Sequence, residues 1–287
     1  MPVSGREAGP YGITTGADGA LWVTLVHSNE IARLTLDGHV DVFPLDTGSL
    51  GPTVITSGPD GALWFTLNQS HAIGRITTDG SFTSFPVAAG HSTPYGITTG
   101  ADGALWFTHI ANDSIGRITP DGQVTTFALP TEGGMPSLIT SGPDGALWFT
   151  LNQANALGRM GLDGEVDVHP LPTPSAAPVG ITCGTDGAVW FVEIGAGQVG
   201  RITGDGEITE FPLPDRAARP HAIVAGASGA CWFTEWGANR VGRVTSDGRI
   251  DVFDLPTPAS EPHGITIGPD GAPYVALEIG AVARLEV

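Results

Sequence analysis

The chain is 287 residues long, carries a formal net charge of −18 at pH 7 and draws all its basic residues from arginine. An acidic field of this strength repels phosphate backbones, so nucleic acid is excluded as an expected partner. No apolar run reaches the roughly 18 residues a spanning helix needs, and the N-terminal MPVSGREAG lacks both the basic and the apolar regions of a secretory signal; a cytoplasmic protein is expected.

Composition points to turns. Gly contributes 42 residues and Pro 23, which in a globular chain means many tight turns rather than long helices. The two cysteines, Cys183 and Cys231, are too few for a disulfide framework, and neither has a Cys or His neighbour at zinc-site spacing. Cys231 stands where other repeats carry Leu and is expected to be a small buried residue.

In chain order, PYGITTGADGALWVT begins at Pro10 and returns, varied, at Pro52, Pro94, Pro136, Pro178, Pro220 and Pro262. An aromatic column follows: Trp22, Trp64, Trp106, Trp148, Trp190, Trp232 and Tyr274. An arginine column comes next, Arg33, Arg75, Arg117, Arg159, Arg201, Arg243 and Arg284, with its last step one residue short. Each repeat reads as four short strands: G-I-T, then an Asp-Gly turn into A-L-W-F-T, a variable loop into I-G-R-I-T, and a second Asp-Gly turn into a strand ending near F-P-L. Asp-Gly accepts positive φ and marks hairpins. Four antiparallel strands in a unit of about 40 residues is a propeller blade, so the chain is predicted to be all-β, a seven-bladed β-propeller over residues 1–287 as one domain. The last repeat stops after its third strand. Residues 1–9 align with a blade-to-blade segment and are expected to complete that blade and close the ring, which removes an open edge.

Both Asp-Gly turns of every blade fall on one face, nearly identical around the ring. The opposite face varies, and function is sought there. The residue after each repeat proline reads Tyr11, Thr53, Tyr95, Ser137, Val179, His221 and His263. The residue before it reads Gly9, Gly51, Thr93, Met135, Ala177, Arg219 and Glu261. Three past the aromatic column come Leu25, Leu67, His109, Leu151, Glu193, Glu235 and Leu277, with Glu278 next in the shortened last loop. All three columns are expected around the channel mouth. His27, His71, His91 and His109 map to this face and equally read as incidental loop histidines, and His39 and His169 lie outside it. His221 and His263 share the innermost column in adjacent blades, as converging catalytic groups require. Glu261 and Glu278 flank two strands of one blade; the pair suits a hard divalent cation such as Mg²⁺, Mn²⁺ or Ca²⁺, and equally reads as two solvated acids. Glu193 and Glu235 also read as side chains bonding loop backbone between blades, and Trp236 as a packing residue or a ligand wall. The Asp-Gly aspartates read as turn formers and the arginines as anchors between blades.

The repeat, and above all ARPHAI at 218–223, CWFTEWGANRVGR at 231–243 and SEPHGI at 260–265, resembles the virginiamycin B lyase (streptogramin B lyase) family over the whole chain. The resemblance implies a lyase conferring antibiotic resistance, which opens cyclic depsipeptides of the streptogramin B type at the ester of the threonine hydroxyl. The C–O bond breaks without water. By motif, His263 would be the general base, His221 a substrate contact, and Glu261 and Glu278 the holders of a Mg²⁺ ion. Tyr11, Tyr95 and Glu235 join His221 as expected substrate contacts. A base of near-neutral pKa and a Lewis acid suit removal of a weakly acidic α-proton. WFTLN in blades two and four, WFTHI in blade three and APYVALEIG in the last blade depart from the family pattern, which bears on substrate range. A metal-dependent propeller lactonase or other hydrolase, and a non-catalytic peptide- or glycan-binding propeller, remain as alternatives. A monomer is expected.

Overall fold

The alternation of β-rich runs with Asp-Gly turns folds, in the computed structural model, into seven antiparallel sheets of consecutive strands. The structure describes residues 1–45, 48, 50–87 and 92–286. Blade 1 sets the pattern, with strands Pro10–Thr15, Leu21–Leu25, Glu30–Leu34 and Val40–Pro44 from the channel outward. Its turn glycines, Gly19 and Gly38, take φ of 73° and 91°, which is why Asp-Gly recurs there.

Blade 7 has three strands of its own, Pro262–Ile267, Pro273–Leu277 and Ala281–Arg284. The N-terminus supplies the fourth. Pro2 bridges Ala281 antiparallel, Met1 and Val282 exchange two hydrogen bonds of 2.8 Å, and the Val3 amide donates to the Gly280 carbonyl. The ring is thus closed by the N-terminal segment, over a short ladder. A hollow of about 440 Å³ between Met1, Phe253 and Leu285 marks where the outer strand runs out.

The core lies between blades. Trp22 packs with Leu50, Ile55 and Phe65 of the next blade, and Val3 and Ala8 of the N-terminal segment pack with Ile13, Tyr274 and Val282 at the seam. Within blades, bulk is matched strand to strand. In blades 2 to 6 a second-strand Phe covers a third-strand Gly; a Cβ on Gly116 would fall 2.2 Å from the Phe107 ring. Blades 1 and 7 carry the reciprocal pair, Val23 with Ala32 and Val275 with Ala283.

The arginine column corrects the expectation of inter-blade anchors. Arg33, Arg75, Arg117, Arg159, Arg201 and Arg284 each donate through Nε to the first-turn aspartate of their own blade, at 2.7–2.9 Å. In blades 1, 2, 3 and 5 the same aspartate accepts from the Trp indole. The aspartates therefore tie turn, aromatic and third strand together as well as forming the turn. Blade 6 has Ser228 there, and Arg243 is left with Asp251 at 3.8 Å.

Blades are joined instead by a threonine column. Thr24, Thr66, Thr108, Thr150 and Thr234 donate to a carbonyl on the next blade's innermost strand.

Candidate active site

The innermost strand of every blade carries a register break just after its proline. A bulge re-aims the side chain at the break. Here that residue is the column Tyr11, Thr53, Tyr95, Ser137, Val179, His221 and His263. The break frees a backbone amide, and the threonine column takes it up. Ala222 N–H donates to Thr234 Oγ1 at 3.0 Å, and Thr234 Oγ1 donates to the His263 carbonyl at 2.9 Å. One hydroxyl thus sets the backbones of both candidate histidines. Sequence reasoning missed Thr234, although its column, two past each Trp, was there to be read.

Four of the expected residues converge. Tyr11 and His263 rings lie 4.6 Å apart by centroid, His221 and His263 5.4 Å, and Tyr11 and His221 6.0 Å. The Tyr11 and Tyr95 hydroxyls hydrogen-bond at 2.5 Å, and Tyr11 Oη is 3.5 Å from His221 Nε2. Tyr11, Tyr95 and His221 cap an otherwise apolar channel of about 150 Å³ lined by Val54, Leu138 and Ile181. Burial, with the Tyr95 hydroxyl next, holds the Tyr11 phenol well above its usual value, and burial raises Tyr95 too, so both remain protonated donors at neutral pH. Burial, reinforced by His263, lowers His221 to about 4, so its imidazole is neutral at pH 7.

Glu261 and Glu278 join His263. One ligand atom from each of these three lies within 4.8 Å of the others, and no second such cluster occurs among the described residues. His263 Nε2 is 2.7 Å from Glu278 Oε2, while its Nδ1 is buried without a partner. Burial pushes the Glu278 carboxyl up, but the hydrogen bond and charge of His263 and a contact from Glu261 outweigh it and leave it below its ordinary value. Two carboxylates in contact repel unless a proton or cation lies between them. Two hard oxygen donors beside one imidazole fit Mg²⁺ or Mn²⁺. Glu261 takes a left-handed backbone, φ 48°, but Gly9, Gly51, Met135, Ala177 and Arg219 do so at the same position, so the turn imposes it.

Glu235 does not belong here. The column three past the aromatic is buried throughout, because the loops cover the end of the second strand. Glu235 has no exposed surface to offer a substrate, and its Oε2 accepts from Arg240 Nε at 2.8 Å. Glu193 likewise accepts from Gln198 Nε2 at 2.6 Å, so both glutamates bond side chains rather than loop backbone. His109 is buried against Phe107, and burial lowers it to about 4. His169 stacks on Trp148, where other blades place Phe, and His39 sits beside Asp41 on the turn face. His71 meets the Ser92 carbonyl, and His91 lies outside the described residues. Cys231 is buried, as expected. Trp236, in a single 3₁₀ turn, lies under the Arg219 guanidinium and borders a hollow with Glu261.

The sequence pattern described as the Virginiamycin B lyase family matches residues 1–285. A virginiamycin B lyase of Mycolicibacterium smegmatis is 56% identical over 41 residues, and one of Saccharopolyspora erythraea 61% over 41; these stretches span only 14% of this chain and 14% of each relative. Solved structures match at full length. A streptogramin B lyase superposes with a TM-score of 0.96 at 45% identity, covering 99% of this chain and 95% of its own. Virginiamycin B lyase from Staphylococcus aureus does so at 0.96 and 44%, covering 100% and 98%. A catalytically inactive histidine-to-alanine variant of the latter, with quinupristin, matches at 0.96 and 43%, covering 100% and 98%.

Proposed function

The chain belongs to the virginiamycin B lyase family, and from that premise we propose that it linearises streptogramin B-type cyclic depsipeptides by elimination at their threonyl ester. The observation that carries this reading is the Glu261–His263–Glu278 cluster at the open channel mouth, beside the neutral His221. Inactivation of the Staphylococcus aureus relative by a single histidine-to-alanine change supports a histidine as base.

His263 takes the α-proton of the threonine residue. The C–H pair becomes the Cα=Cβ bond, and the Cβ–O pair leaves with the carboxylate, so no water is consumed. An imidazole suits the task because its ordinary pKa is near neutral. Glu278, accepting from Nε2, orients the ring. Base work from Nε2 requires the tautomer that carries its hydrogen on the enclosed Nδ1, with Nε2 freed from Glu278 to receive the α-proton. His221 offers a neutral hydrogen-bonding group to the substrate, and the Tyr11–Tyr95 pair forms an aromatic floor. Glu261 and Glu278 would hold Mg²⁺, which when bound polarises the carbonyl next to the acidic carbon.

Mass spectrometry of the protein incubated with quinupristin and Mg²⁺ tests the reading. A linear product of unchanged mass is expected, lost on EDTA treatment and restored by Mg²⁺. A product heavier by one water would make the enzyme a hydrolase, and full activity after exhaustive chelation would remove the metal.

A further inference from the structure

Glu278 has a second hydrogen bond, and it comes from another blade. His27 Nε2 lies 3.1 Å from Glu278 Oε1, while His263 occupies Oε2. A carboxylate only accepts, so Nε2 of His27 carries the hydrogen. His27 sits in the loop after the second strand of blade 1, at a column that reads Gln69, Ala111, Gln153, Gly195 and Gly237 in the five blades that follow. Among these six blades the histidine therefore occurs once, in the blade that meets blade 7.

The ring of His27 is seated by the closure itself. Its backbone amide donates to the Ala8 carbonyl at 3.0 Å, and its imidazole packs against Gly9, where a Cβ would fall 2.2 Å from Cδ2. Other blades hold Met135, Ala177, Arg219 and Glu261 in the same left-handed turn, so it is the space under His27 that calls for glycine. Ala8 and Gly9 belong to the segment that completes the seventh blade.

We propose that His27 is a positioning residue, which holds the outer oxygen of Glu278 across the seam between blades 7 and 1 so that the carboxylate faces Glu261 and a divalent cation. The inference rests on the cation reading of that pair. A glutamate on a short, partly exposed loop loses rotamer freedom when it is fixed. A donor that fixes it beforehand transfers that cost from cation binding to folding. Partners of this kind behind a metal carboxylate typically change metal affinity by about 10- to 100-fold. His27 makes the divalent site a property of the closed ring, not of blade 7 alone.

Mn²⁺ binding, read from the loss of the free-ion electron paramagnetic resonance signal, tests this without turnover. The full-length protein, His27→Ala and His27→Gln would be titrated, with thermal unfolding followed in parallel. His27→Ala should bind Mn²⁺ about tenfold more weakly. His27→Gln keeps a side-chain N–H donor and should recover most of the affinity, with both variants melting near the parent. Equal affinity in His27→Ala and the parent overturns the role of His27. A glutamine variant as weak as the alanine one overturns the hydrogen-bond account. Absence of saturable Mn²⁺ binding in the parent overturns the cation reading itself.

Discussion

On the Asp-Gly face, six blades repeat one arrangement, an arginine Nε on its own blade's turn aspartate at 2.7–2.9 Å. On the opposite face, the equivalent positions after the repeat proline hold Tyr11, Thr53, Tyr95, Ser137, Val179, His221 and His263, and only the last two blades in chain order supply histidines. The backbone is the same in both regions; even the bulge at the innermost strand recurs in all blades. What differs is whether the side chain is consumed by the blade's own packing. The turn aspartates and arginines satisfy each other, whereas the bulge turns its side chain into the channel mouth, where nothing in the repeat requires a particular residue.

The sharpest way to break this contrast is at the mouth. His263→Ala should reduce elimination of a streptogramin B by about 10²- to 10⁴-fold, the usual contribution of a general base, with little change in melting temperature. A variant that keeps parental kcat would sink the assignment of His263.

On the packing side the effect should fall on stability. Gly116→Ala places a methyl 2.2 Å from the Phe107 ring and should cost about 1–3 kcal/mol in urea unfolding. Adding Phe107→Val recreates the Val–Ala pair of blades 1 and 7 and should recover part of the loss. If the double variant is less stable than the sum of the single changes predicts, the matching of bulk between these strands is not what the repeats record.

A smaller, pH-dependent effect separates the buried column from the mouth. Burial, partly countered by the Gln198 hydrogen bond, raises Glu193 from 4.5 to about 8. The folded protein then keeps a proton that the unfolded chain releases between those values. This contribution to stability is complete below pH 4.5, declines as the pH rises, and is gone above about 8. Glu193→Gln cannot lose that proton, so its melting temperature should gain on the parent's as pH is raised from 5 to 8. Parallel pH profiles would show that Glu193 does not titrate there.

The fold was legible because a 42-residue period states the blade seven times over, and nearly every copy repeats the same turn and strand chemistry. The histidine pair was legible because His221 and His263 share a column, and columns of a symmetric frame converge on its axis. Glu235 shared a column as well and was misplaced, because the pattern gives its distance along the strand but not the loops that cover the strand's end. Arg240, five residues away, takes its carboxylate. His27 and Glu278 stand 251 residues apart at opposite ends of the chain and meet only because the ring closes.

Sequence alone determined the repeat, the number of blades, the residues that seal the Asp-Gly face and the list of groups able to do chemistry on the other. Tertiary structure decided which of those groups meet. It buried Glu193, Glu235 and His109, aimed His221 and His263 through a bulge held by Thr234, and carried His27 across the seam to Glu278. The reason is geometric: a local repeat specifies each blade's own hydrogen bonds, while contacts between blades, and above all between the first and the last, exist only once the circle is complete.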